Sequence, residues 1–130
     1  MILLCNQTFA QKSSGNGLLI PNELISIALN GTEIKEYYHF DRRERGNLVV
    51  VNQNWLHNPL DTILVFDKQV QIVNTLDSKL TNFIQVVFIK QEGDKIELKF
   101  KYKLEGILID VELVKLNEIW QRKSVSIVEN

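Results

Sequence analysis

Ile96-Glu97-Leu98-Lys99-Phe100-Lys101-Tyr102-Lys103-Leu104-Glu105-Gly106-Ile107-Leu108-Ile109-Asp110-Val111-Glu112-Leu113 is the stretch that decides the fold. Ile96, Leu98, Phe100, Tyr102 and Leu104 alternate with Glu97, Lys99, Lys101 and Lys103. That period of two belongs to a strand with one buried face and one wet face. Glu105-Gly106 then offers a two-residue hairpin turn, because glycine accepts the positive φ that the favoured hairpin turns require. Such a turn fixes a register. It predicts Phe100 opposite Val111 and Leu98 opposite Leu113 inside, with Lys101 opposite Asp110 and Lys99 opposite Glu112 outside. The outer pairs match in sign. Cross-strand pairs of this kind contribute only about 0.2 to 1 kcal/mol each, so they serve here as a check on register.

Working outward, a turn at Gly93-Asp94 places Lys90 opposite Glu97 and adds the strand that begins near Ile84. A turn at Asn117-Glu118 leads into a fourth strand, Ile119 to Val128, with a bulge expected near Trp120 to Arg122 because Trp120 breaks the parity of Ile119, Val125 and Ile127. The result is a four-stranded antiparallel meander. By strict alternation Val86 and Phe88 fall on its outer face, where an exposed sheet edge would suit homodimerisation.

Upstream, Pro21-Asn22 starts a helix whose stripe is Leu24, Ile25, Ala28 and Leu29, and Asn30-Gly31 is its left-handed stop. Thr32 caps a second short helix from Glu33 to about Phe40, with Ile34 and Tyr38 one turn apart. Strands follow at Leu48 to Val51, Thr62 to Phe66 and Val70 to Val73. The spacing of Leu76, Leu80 and Phe83 predicts one or two helical turns before the meander.

The chain has 130 residues, 45% hydrophobic and 24% charged, which suits one domain with a buried core. Fifteen basic and sixteen acidic residues leave a net charge of -1, so no broad field attracts a nucleic acid, which is excluded as the expected partner. The longest clear apolar run, Ile84 to Ile89 interrupted by Gln85, is far short of a membrane span. Cys5 is the only cysteine, so no intramolecular disulfide and no thiolate metal cluster can form. Residues 1–17 read as an N-terminal arm. Ile2-Leu3-Leu4-Cys5 followed by Thr8-Phe9-Ala10 has the look of the tail of a secretory signal, and residues 11–17 of a polar linker. Two readings stay open: export to the periplasm or beyond, or a cytoplasmic protein with an apolar arm. Residues 18–130 form the single domain.

Short helices first, then strands, then a closing meander with a tryptophan at the start of its last strand: over residues 20 to 128 this order resembles the cystatin-like and nuclear-transport-factor-2-like (NTF2-like) classes. The resemblance is one of element order, carried by no sequence motif, and no family is recognised. It implies an α+β fold with short N-terminal helices packed on a curved antiparallel sheet.

Two polar groups are candidate ligand-binding sites. In Tyr37-Tyr38-His39-Phe40-Asp41-Arg42-Arg43-Glu44-Arg45, an extended chain would put His39 and Asp41 on one face as an acid/base pair, with Arg43 and its neighbours capturing an anion. Trp55 and His57 form the second, an aromatic beside an imidazole in a loop ending at Asn58-Pro59. The bland reading of the first is a solvated, charge-compensated loop, and of the second a core-docked tryptophan. Tyr102 is the sole polar group on the predicted inner face of Ile96, Leu98, Phe100, Ile107, Ile109, Val111 and Leu113, a face that either packs on the helices or lines a greasy pocket. No catalytic motif, cofactor fingerprint or metal-ligand spacing is present. The expected function is therefore a non-catalytic binding or interaction module for a protein partner or a small apolar ligand. Behind it stand a small cone-fold enzyme of hydrolase or isomerase type using His39 with Asp41 or His57, and an inhibitor or immunity-type protein.

Overall fold

The computed structural model describes residues 22–52 and 62–130. Two helices, α1 (Asn22–Leu29) and α2 (Thr32–Tyr38), precede seven strands: β1 (Val49–Val51), β2 (Thr62–Val65), β3 (Lys68–Val73), β4 (Phe83–Glu92), β5 (Lys95–Tyr102), β6 (Ile107–Leu116) and β7 (Ile119–Glu129). The strands form one sheet in the order β2-β3-β1-β4-β5-β6-β7, strongly curled into a half-barrel. The fold is thus α+β, two short helices on a curved sheet that ends in a four-stranded meander. One strand departs from the antiparallel rule: β1 runs parallel to both of its neighbours, β3 and β4. Its three valines are buried, as a short central strand covered on both faces requires.

The inner face of the meander is filled. Leu98, Phe100, Tyr102, Ile109, Val111 and Leu113 have no exposed surface, and they share one cluster with Leu24, Ile25, Ala28 and Leu29 of α1 and Ile34 and Tyr38 of α2. Burial of each such side chain contributes about 1.5 to 3 kcal/mol. The greasy-pocket alternative is therefore set aside for this face. A smaller cluster of Val49, Val51 and Phe83, with Val73 and Leu80 against it, covers the opposite face around β1.

Four local expectations need correction. The β5–β6 connection is a 3₁₀ turn, Lys103–Glu105, closed by Gly106 at φ 67, so four residues lie in the loop where two were expected. The register consequently moves by two residues, pairing Leu98 with Val111, Phe100 with Ile109 and Lys99 with Asp110. An even shift keeps every side chain on its predicted face but changes its partner, and Glu97 now faces Glu112. In β4 a bulge at Val87 separates Val86, paired with Phe100, from Phe88, paired with Lys99, so Val86 turns inward and only Phe88 lies outside. Leu76, Leu80 and Phe83 do not form a helix. The segment is a turn in which Leu80 N–H donates to Asp77 O and Lys79 N–H to Asp77 Oδ1, each at 2.9 Å, leaving Leu80 and Phe83 to cover β1 and Leu76 exposed. The bulge in β7 lies at Lys123, between Arg122, opposite Leu113, and Ser124, opposite Glu112.

The helix junction also works differently from its sequence. Gly31 sits at φ -80 and caps α2 without a side-chain bond, so Thr32 is the first helical residue and no left-handed stop is used. Asn30 ends α1 through its side chain. Its Nδ2 donates to Ser26 O at 2.6 Å and Leu64 O at 3.0 Å, while its Oδ1 accepts from Phe66 N–H at 2.7 Å. The open edge of β2 is thereby tied to α1, and Ser26 Oγ donates to the same Leu64 carbonyl. At the other rim of the half-barrel, Arg122 Nη1 of β7 donates to Ile27 O at 2.8 Å, satisfying one of the orphan carbonyls at the end of α1. Helix α1 bridges the two rims.

Candidate functional site

The densest polar constellation forms where the segment after α2 meets the β5–β6 turn. His39 ends α2 in the left-handed region at φ 50, ψ 49, which turns the chain sharply away from the helix. Its carbonyl accepts from Arg42 N–H at 2.9 Å, Arg43–Arg45 make a 3₁₀ turn, and Gly46 at φ 76 closes it by donating to Arg43 O at 3.1 Å. Gly46 O in turn accepts from Asn82 Nδ2 at 3.2 Å, and Asn82 Oδ1 accepts from the Tyr102 hydroxyl at 2.7 Å. The segment is pinned at its far side by Arg45, whose Nη2 donates to Glu105 Oε2, with both side chains 14% exposed.

Electrostatics in this network follow from burial and from one carboxylate. Burial opposes the charge of Arg45, but the hydrogen bond and charge of Glu105 outweigh it and hold the guanidinium above its ordinary value. Burial also pushes Tyr102 up to about 12, Arg45 working against the shift and Glu105 with it. Tyr38, whose hydroxyl donates to Leu29 O at 2.6 Å, is raised in the same direction by burial and then by Tyr102. Both phenols are neutral hydrogen-bond donors holding the core together.

Beside the network lies a cleft of about 280 Å³, lined by His39, Phe40, Arg42 and Arg43 from the segment after α2 and by Lys68 and Gln69 at the start of β3. A second groove of about 310 Å³ crosses the outer face of the meander among Lys90, Lys95, Glu97, Asp110, Glu112 and Ser124. There Asp110 is held above the usual carboxylate range by burial, by its hydrogen bond to Glu97 and by the charges of Glu97 and Glu112, with Lys99 opposing. Among the described residues, no group of three or more His, Cys, Asp and Glu side chains is placed to hold a metal ion, and no helix is long and apolar enough to cross a membrane.

The third feature is the outer edge of β7. Asn130 N–H donates to Gly106 O at 2.7 Å, and this fixes the phase of the β6–β7 ladder. Antiparallel alternation then directs the main-chain groups of Ser124, Ser126 and Val128 toward β6. Those of Val125, Ile127 and Glu129 point away from the sheet, along a strand of 11 residues that, among the described residues, pairs on one side. Exposed apolar side chains accompany it: Leu108 opposite Val128 at one end, Leu116 opposite Ile119 at the other.

The predicted site residues are thus distributed as follows. His39 and Arg43 line the cleft. Asp41 is exposed, and the carboxylate nearest His39 is Glu105, with Nε2 at 3.6 Å from Oε2. Tyr102 is fully buried and bonded to Asn82. Trp55 and His57 lie outside the described residues. Sequence reasoning included Arg42 among the anion-capturing neighbours of Arg43 and missed Lys68 and Glu105 as members. Arg42 stands beside Arg43 in the same basic run, but Lys68 and Glu105 are brought in only by the curl of the sheet. No family model, curated protein or solved structure matches the chain.

Proposed function

We propose that this protein is a non-catalytic interaction module that takes an extended segment of a protein partner onto the open edge of β7. The observation that carries the reading is the set of outward main-chain groups at Val125, Ile127 and Glu129, spaced two residues apart as strand addition requires. Free edges of this length invite pairing, and folds that avoid it blunt the edge with proline or bury it under a helix. The segment Ser124 to Val128 contains no proline and one stretch of three β-branched residues within five positions, Val125, Ile127 and Val128. The bond between α1 and β7, Arg122 Nη1 to Ile27 O, lies before this segment, and Val125 and Ile127 turn their side chains toward the core and leave their main-chain groups at the edge. The filled inner face supports the same reading, because it assigns the apolar residues of the meander to packing and leaves recognition to the outside.

Two proline variants test it. Val125→Pro removes an outward N–H and leaves the β6 ladder intact, whereas Ser126→Pro removes a ladder bond and should destabilise the fold. Peptides selected from a random display library on the unmodified chain should be extended and rich in β-branched residues, and should lose binding to Val125→Pro while its melting temperature stays within a few degrees. Self-association in light scattering that disappears in Val125→Pro would identify the partner segment as β7 of a second copy. Selected peptides that bind Val125→Pro as well as the unmodified chain would sink the proposal.

A further inference from the structure

We infer that the cleft between the segment after α2 and the start of β3 is a binding site for a small phosphate-bearing anion, independent of the β7 edge. The chain as a whole carries a net charge of -1, yet Arg42, Arg43 and Lys68 converge on this cleft and no Asp or Glu lines it. Asp41, Glu44 and Asp67 are the sequence neighbours of these cations and fall outside the lining. Among the described residues, the ion pairs within 4.0 Å engage His39, Arg45 and lysines elsewhere, not Arg42, Arg43 or Lys68. The one carboxylate close to His39, Glu105, is already bonded by Arg45.

The backbone around the cleft is also preorganised. Arg42 and Arg43 project from a segment closed by two backbone bonds, Arg42 N–H to His39 O at 2.9 Å and Gly46 N–H to Arg43 O at 3.1 Å. The same segment is anchored to the sheet at Asn82 and Glu105. On the opposite wall Lys68 follows the β2–β3 turn, where Phe66 and Asp67 both hold positive φ and so fix where the strand begins. A rigid backbone beneath the cations spares the cost of ordering the loop when an anion arrives. Planar guanidinium groups match phosphate oxygens in pairs, and a lysine adds a point charge. Phe40, Leu48 and Val70 also line the cleft, and apolar walls strengthen charge interactions relative to open water. A volume of about 280 Å³ accepts a phosphate with a small organic group attached.

Calorimetric titration of the full chain with inorganic phosphate, and separately with phenyl phosphate, tests this at constant ionic strength with chloride as the balancing anion. One saturable site is expected. The double variant Arg42→Gln/Arg43→Gln should weaken it about tenfold or more, with melting temperature unchanged within a few degrees, and Lys68→Gln should weaken it several-fold. The double variant Lys95→Gln/Lys99→Gln removes equal charge from the outer face of the meander and should leave binding as it is. Tighter binding of phenyl phosphate than of phosphate identifies an organic phosphate as the ligand, and equal binding identifies the free anion. Absence of saturable heat up to about 20 mM phosphate, or equal losses in the two double variants, overturns the inference.

Discussion

Replacing Asn30 with alanine should loosen the seam between α1 and the β2–β3 hairpin. The side chain makes four bonds: Nδ2 to Ser26 O at 2.6 Å, Nδ2 to Ser26 Oγ at 3.2 Å, Nδ2 to Leu64 O at 3.0 Å, and Oδ1 from Phe66 N–H at 2.7 Å. Leu64 O keeps the Ser26 hydroxyl as a partner after truncation, so its loss is small. The Phe66 N–H belongs to a tight turn in which both central residues, Phe66 and Asp67, have positive φ. An unsatisfied, partly buried donor costs about 1 to 3 kcal/mol, and each lost bond about 0.5 to 1.5 kcal/mol. The sum for Asn30→Ala is about 2 to 4 kcal/mol, equivalent to about 8 to 14 °C in melting temperature for a domain of this size. Urea denaturation followed by tryptophan fluorescence should show a lower midpoint with an unchanged slope. Asn30→Asp adds a sign test, because it keeps an acceptor for Phe66 N–H but sets a carboxylate against the Ser26 and Leu64 carbonyls. It should be at least as destabilised as Asn30→Ala at neutral pH and should recover as the carboxyl protonates near pH 4. A loss below about 1 kcal/mol for Asn30→Ala would mean that the hairpin is held by the burial of Ile63, Val65, Val70 and Ile72 alone.

Two pH-dependent predictions follow from the raised groups. Tyr102, pushed up to about 12 by burial, and Tyr38, raised the same way, are neutral in the fold and ionise near 10 when unfolded. Both contributions are complete below pH 10; that of Tyr102 is lost as pH rises through about 12 and that of Tyr38 goes on falling beyond it, so urea midpoints should fall steeply above pH 10 while staying flat from pH 8 to 9. Asp110 is raised by burial and by Glu97, so its stabilising, protonated form is present below about pH 3.9 and is lost as pH climbs through the raised folded value. Asp110→Asn should therefore raise the melting temperature at pH 7, with a gain that shrinks toward pH 3 and with added salt. A lower melting temperature at pH 7 would show that ionised Asp110 is better accommodated than its neighbours Glu97 and Glu112 allow.

Much of the architecture is legible in alternation, because burial selects side chains one by one. Ile96, Leu98, Phe100 and Tyr102, with Ile107, Ile109, Val111 and Leu113, are inside in both the sequence pattern and the structure. Alternation fixes faces and leaves partners free, so a loop two residues longer than expected at Gly106 passed unseen. The matching charges that favoured the shorter turn were a coincidence of a strand rich in lysine facing one rich in acid. Bulges at Val87 and Lys123 escape a strict period of two by their nature, although Trp120 betrayed the second within three residues. The parallel placement of β1 has no local signature, since three valines suit any buried strand. For the candidate cleft, the basic run at Arg42 and Arg43 was visible. The assignment of Glu105 to Arg45, 60 positions apart, depends on tertiary contact alone.

The bridge between the rims of the half-barrel has a consequence for synthesis on the ribosome. Helix α1 emerges before every described strand, but the Arg122 guanidinium that closes its last turn lies 95 positions after Ile27, its acceptor. Until β5 and β6 have cleared the exit tunnel, Leu24, Ile25, Ala28 and Leu29 lack much of the surface they are built to cover, and until Arg122 follows, the last turn of α1 lacks its donor. Order along the polypeptide and order of assembly are therefore reversed: α1 precedes every described strand yet is among the last elements to be locked, and the nascent chain carries an apolar helix in waiting until the meander has emerged.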